Sequence, residues 1–116
     1  ATLMYDSDEK LAWSLQTLGD GKYADSIYHA YNAMINAAKA LLLSKDVKSS
    51  SQYSVMKDFD RLFVETAEIT LPTSFSEYVL QINKNEPTET FAKSYLQNAT
   101  DFVKAVRDVR EAQPVE

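Results

Sequence analysis

Apolar residues recur at three- and four-residue spacing along most of this chain, the period of an amphipathic helix. The clearest run is Tyr23, Ile27, Ala30, Tyr31, Met34, Ala37, Ala38 and Leu41. At about 100° per residue these positions fall in a narrow arc and predict a helix from about Tyr23 to Ser44. The alanines on that stripe leave room for a close neighbour, so this helix is expected to be central. Upstream, Leu11, Leu15 and Leu18 predict a first helix from about Asp6 to Leu18, with Asp6 and Glu9 spaced as a capping box. Gly19-Asp20-Gly21 ends it, because glycine tolerates the left-handed backbone of a helix C-cap.

Downstream, Val55, Met56, Phe59, Leu62 and Phe63 predict a third helix over about Gln52–Ala67, stopped by Leu71-Pro72. Ser74 and Glu77 spell a second capping box, opening a short fourth helix with Phe75, Tyr78, Val79 and Ile82. A fifth helix runs from about Thr88 to Ala112 on Phe91, Tyr95, Ala99, Phe102, Val103 and Val106. Its outer face carries Lys104 and Asp108, and Arg107 and Glu111, each at i,i+4 spacing. Lys45–Ser51 is a polar loop. Short connections favour antiparallel neighbours, so the expected fold is an all-α, up-and-down antiparallel bundle of about five helices. The 116 residues make one domain, 1–116, and only two Gly and three Pro occur, which suits long helices with few turns. The chain begins at Ala1, so it is expected to be a fragment of a longer polypeptide or a processed product.

Charge patterning changes the picture at one place. Ser26 to Ala38 is thirteen residues without a formal charge. A helix with one face in water carries charge there, so this stretch is expected to be covered on most sides, by its own bundle or by a second molecule. His29, Asn32 and Asn36 lie opposite the core stripe, with Leu43 one turn further on. They are the candidate interface residues, against the alternative of a solvated face built from amides. Trp13, off the leucine stripe of the first helix, is expected to cover a bundle edge or an interface.

Composition removes several chemistries. The chain has no Cys, so disulfides, thiolate catalysis and cysteine-held clusters are excluded within it, and a reducing cytoplasm is the expected location. His29 is the only histidine, too few for a His-rich metal site or for haem ligation by two histidines. Asp58 and Asp60, two apart on a helix, point about 200° from each other and read as surface charge. Two isolated glycines cannot make a phosphate loop. No catalytic residue, metal ligand or cofactor is assigned to this domain. A net charge of −5 with scattered Lys and Arg argues against nucleic acid, and no apolar run is long enough to span a membrane. The tyrosines on the stripes, Tyr23, Tyr31, Tyr78 and Tyr95, read as core whose hydroxyls need partners. Asn98-Ala99-Thr100 is a chance glycosylation spelling in mid-helix.

The run from His29 to Leu43, HAYNAMINAAKALLL, followed by a polar loop and a Phe-containing helix, resembles the second helix of prokaryotic HEPN domains. The matching positions are Ala30, Tyr31, Ala33, Met34, Ala37, Ala38, Lys39, Ala40 and Leu41. The resemblance implies an antiparallel bundle, commonly dimeric. Many members are ribonucleases with an Arg-x(4–6)-His motif, others accompany a small nucleotidyltransferase, and some have no known chemistry. This chain departs from the ribonuclease pattern. His29 stands where the family run has Arg, Asn36 where it has His, and Gln52 where many relatives have His. Arg61, Arg107 and Arg110 all follow the sole histidine, so the motif cannot be written in these residues. The expected function is therefore a non-catalytic accessory domain acting by homodimerisation or by docking on its parent chain. The alternatives are a divergent ribonuclease or nucleotide-binding protein using His29, and a partner of a minimal nucleotidyltransferase. HEPN-like domains with a similar second helix also occur at the C-terminus of some sulfite or nitrite reductase-like proteins. In such a parent the iron–sulfur and sirohaem ligands would lie upstream.

Overall fold

The computed structural model describes residues 2–113. Its elements in order are α1 (Thr2–Gly19), α2 (Tyr23–Leu43), α3 (Gln52–Phe59) with a π turn at Asp60–Val64, α4 (Phe75–Leu80) with a 3-10 turn at Gln81–Asn83, and α5 (Glu89–Ala112). The bundle is all-helical and elongated, 45 × 25 × 24 Å. Gly21 takes the left-handed φ of 76° that the α1–α2 turn requires.

Small residues set the α1–α2 packing. Ser7 Oγ donates to the Ala33 carbonyl at 2.8 Å, and Ser14 Oγ donates to the Ser26 carbonyl at 2.7 Å. Ser26 Oγ returns a bond to the Ser14 carbonyl at 2.8 Å. A step of seven residues up α1 matches seven residues down α2, so the two helices run antiparallel in strict register. All three serines are fully buried, yet each hydroxyl is satisfied, which removes the usual penalty of a buried polar group. α5 runs in the same direction as α2: Gln113 bonds Ser44 where both helices end, and Arg107 reaches Asp8 near the start of α1. The polar segment after α2 doubles back, bringing Gln52 to Tyr31, while Leu62 and Glu68 lie at Lys45.

The main core is aromatic. Phe59 packs on Phe63, Phe75 and Phe102 with ring centroids 4.7–5.3 Å apart, and Phe75 stacks on Phe102 at 4.7 Å. Tyr95 is fully buried and donates to the Val79 carbonyl at 2.6 Å, Tyr78 to the Asn98 carbonyl at 2.9 Å, and Tyr31 to Gln52 Oε1 at 2.6 Å. The stripe tyrosines thus find the partners that burial demands; Tyr23 is half-buried. Ser74 and Thr88 cap α4 and α5 through the amides of Glu77 and Phe91.

Five local expectations are corrected. α1 begins at Thr2, placing Asp6 and Glu9 inside the helix, because Met4 is buried and extends the packed face upstream. Leu15 is 64% exposed, because Ser7 and Ser14 face α2 and turn the next position outward. The third helix widens at Asp60, where the Glu65 amide bonds the Asp60 carbonyl five residues back, and regular helix does not reach Ala67, whose φ is 62°. Asp60 is no idle surface charge. Its carboxylate accepts from the amides of Phe75 and Ser76 and from Ser76 Oγ, tying the end of α3 to the start of α4. On α5 the Lys104–Asp108 pair forms at 2.9 Å, but Arg107 bypasses Glu111 for both oxygens of Asp8 at 2.6 and 2.7 Å. The single nitrogen Nη2 serves both carboxylate oxygens, a charge-assisted contact that ties α5 to α1.

Burial pushes the Tyr78 phenol up to about 12, with the Asp101 carboxylate adding to the effect, and raises Tyr95 further still. Folding therefore favours the protonated phenols. Their contribution to stability is complete below the ordinary tyrosine value of about 10 and is lost as pH rises toward 12. Urea midpoints are expected to fall steeply above about pH 10. In Tyr78→Phe that alkaline fall becomes shallower, and an unchanged slope would contradict the assignment.

Candidate interaction face

α2 is enclosed on three sides. Twelve of its 21 residues are buried, and they include Ala33 and Ser26 against α1, the core stripe, and Ile35 and Leu42 on the opposite flank. The missing charge of Ser26–Ala38 is thus explained chiefly by intramolecular burial. What stays open is a strip of about a quarter of the helix circumference, judged at about 100° per residue. Asp25, Tyr28, Asn32, Asn36, Lys39 and Leu43 lie along it, with His29 at its α1 edge.

The four sequence candidates share this face but not one pocket. His29 leans on Trp13, ring centroids 5.5 Å apart in an edge-to-face arrangement. Its Nδ1 is buried and has no hydrogen-bond partner. Trp13 in turn carries the Lys10 ammonium 4.4 Å from its ring centroid and remains 41% exposed. Trp13 therefore covers the α1–α2 edge. Asn32 and Asn36 are half-buried on the strip, and Asn32 Nδ2 donates to the Tyr28 carbonyl one turn back at 3.1 Å. Leu43 stands at the far end, beside Leu3 and Val47.

Tyr28 was not singled out by sequence. It is 57% exposed and stacks on Tyr31 at 6.3 Å, next to a cavity of about 400 Å³ that includes Gln52 and Ile82. Its position on the helical wheel, beside Asn32 and off the core stripe, was the available signal. Burial, with the Tyr28 phenol adjacent, raises the Tyr31 phenol.

Chemically the face is poor in reactive groups. No cluster of three or more potential metal ligands occurs among the described residues. His29 offers no nucleophile or carboxylate partner at its enclosed nitrogen. No helix among the described residues is long and apolar enough to cross a membrane.

Comparison with known proteins adds a family. The HEPN domain matches residues 2–112. A UPF0332 protein of Pyrococcus horikoshii is 38% identical over 63 residues, 54% of this chain and 44% of its own length. A protein of Methanocaldococcus jannaschii named "putative toxin" is 29% identical over 92 residues, 73% of this chain and 69% of its own length. The chain thus spans less than half of the Pyrococcus relative. No solved structure matches the chain.

Trp13→Ala is expected to cost about 2 kcal/mol in urea unfolding, since it opens the edge over His29. His29→Leu, which removes no hydrogen bond at Nδ1, is expected to shift stability by less than about 1 kcal/mol. A His29→Leu loss as large as that of Trp13→Ala would contradict the packing role.

Proposed function

This chain belongs to the HEPN domain family, and we propose that it acts by association, as a non-catalytic domain that pairs with a second copy of itself through the open strip of α2. The observation that carries this is the symmetry of the strip. Asp25 and Lys39 lie seven residues to either side of Asn32, roughly 10 Å away along the helix. A twofold axis at Asn32 sets Asp25 against Lys39 of the partner subunit, and Tyr28 against Asn36 of the partner subunit. Neither Asp25 nor Lys39 has an ion-pair partner among the described residues. A self-complementary patch of this kind is what an isologous dimer needs. Neutral amides at its centre let two helices meet without burying unpaired charge.

The name of the Methanocaldococcus relative does not alter this reading. These residues hold one histidine and no arginine before it, and that histidine is packed against Trp13. We assign the domain no cofactor. Attachment to a sulfite or nitrite reductase-like parent chain belongs to the same proposal and rests on the likeness of α2 alone; reading the native frame upstream of Ala1 tests it.

Sedimentation velocity across a concentration series tests the pairing. The parent sequence is expected to run as a dimer. Asp25→Lys alone, Lys39→Asp alone and Asn36→Lys are each expected to weaken the dimer at least about tenfold, and Asp25→Lys combined with Lys39→Asp to recover most of it. A monomer at every concentration, or a double variant no better than the singles, refutes the register.

A further inference from the structure

At the end of the bundle where α2 and α5 finish and α1 begins, two hollows share one wall. The first, of about 150 Å³, has Leu3, Leu43 and Val47 as its apolar lining and Lys39 and Lys48 at its rim. The second, of about 260 Å³, has Leu3, Ala40 and Leu43 with Arg110. Leu3 and Leu43 form the ridge between them, and Leu43 is 43% exposed. Among the described residues no carboxylate lines either hollow.

The neighbouring cations are already committed: Lys45 to Glu68, and Arg107 to Asp8. Lys48 and Arg110 have no ion-pair partner among the described residues. On a chain of net charge −5, the described linings of these two hollows carry cations over an apolar floor, with Glu111 beside Arg110 in the adjoining hollow. A helix C-terminus attracts cations, which accounts for Arg110 in the last turn of α5. It does not account for Lys48, which lies outside every helix.

We propose that this groove docks an acidic, aliphatic peptide segment of a partner protein. One aliphatic side chain enters each hollow astride the Leu3–Leu43 ridge, and flanking carboxylates meet Lys48 and Arg110. Charge complementarity selects the acidic residues, and the divided floor selects two separate side chains over one continuous acyl chain. The proposal rests on the reading that the domain acts by association and shares Lys39 and Leu43 with the end of the α2 strip, but the cations it tests, Lys48 and Arg110, lie off that strip.

The test is fluorescence anisotropy with a labelled synthetic peptide, Asp-Leu-Glu-Glu-Leu-Asp, titrated with the full chain at low and high salt. Saturable binding is expected, weakening as salt screens the rim. Lys48→Glu and Arg110→Glu are each expected to weaken it at least about tenfold while leaving the sedimentation behaviour unchanged. Asn36→Lys is expected to retain it, which separates failure of this proposal from failure of the dimer. A peptide with both leucines replaced by serine is expected to bind at least about tenfold more weakly. Absence of saturation by about 1 mM, indifference to both charge reversals, or equal binding of the serine peptide overturns the proposal. So does displacement of the bound peptide by a fatty acid that itself binds more tightly, which would make the groove an acyl site.

Discussion

The bundle depends on how closely α1 can approach α2. Serine and alanine line their seam, and the reciprocal bonds between Ser14 and Ser26 satisfy hydroxyls that would otherwise be stranded in a dry interface. A bulky residue at any of these positions would hold the helices apart; a small residue unable to hydrogen-bond would forfeit the register. With α1 seated so tightly, α2 needs no charge on that flank. α5 and the aromatic cluster cover the next, and Ile35 and Leu42 close the third. The uncharged stretch is therefore first a consequence of enclosure. Only the residual strip is free to serve a partner.

That division separates structural chemistry from functional chemistry. Arg107 commits its Nη2 to Asp8 and ties α5 to α1. Asp60 spends its carboxylate on the start of α4. His29 spends its ring on Trp13. The polar groups with the most chemical promise are thus committed to holding the bundle, and the groups left over are amides, a tyrosine, two leucines and a few unpaired charges. Such a set suits recognition between surfaces far better than bond making. The proposed role in association agrees with these residues, which cannot spell the family's ribonuclease motif.

Much of the fold was legible because it is carried by periodicity. The stripes of α2 and α5 and the cap at Ser74 depend on residues near each other in sequence, and the structure places them as their spacing implies. The unread parts depend on tertiary partners. Ser7, Ser14 and Ser26 look polar in sequence and act as small core residues, and that is also why Leu15 was placed on the wrong face. The π turn at Asp60 answers to a helix that starts fifteen residues later. The choice of Asp8 over Glu111 by Arg107 spans almost the whole chain. At the candidate face, the sequence marked His29, Asn32, Asn36 and Leu43 by missing charge alone. It did not separate the histidine packed on Trp13 from the amides left in the open, because that distinction is made by α1.

The most direct test of the central claim uses the absence of cysteine. Asn32→Cys introduces a single thiol at the proposed twofold axis, and Gln97→Cys places one on an exposed position of α5 as a control. Two cysteines bridge only when their Cα atoms come within about 7 Å, which facing helices permit only at the axis. Under mild oxidation at dilute concentration, Asn32→Cys is predicted to become a disulfide-linked dimer rapidly and Gln97→Cys to remain largely monomeric on a non-reducing gel. An Asn32→Cys protein that cross-links no faster than the control would contradict the account.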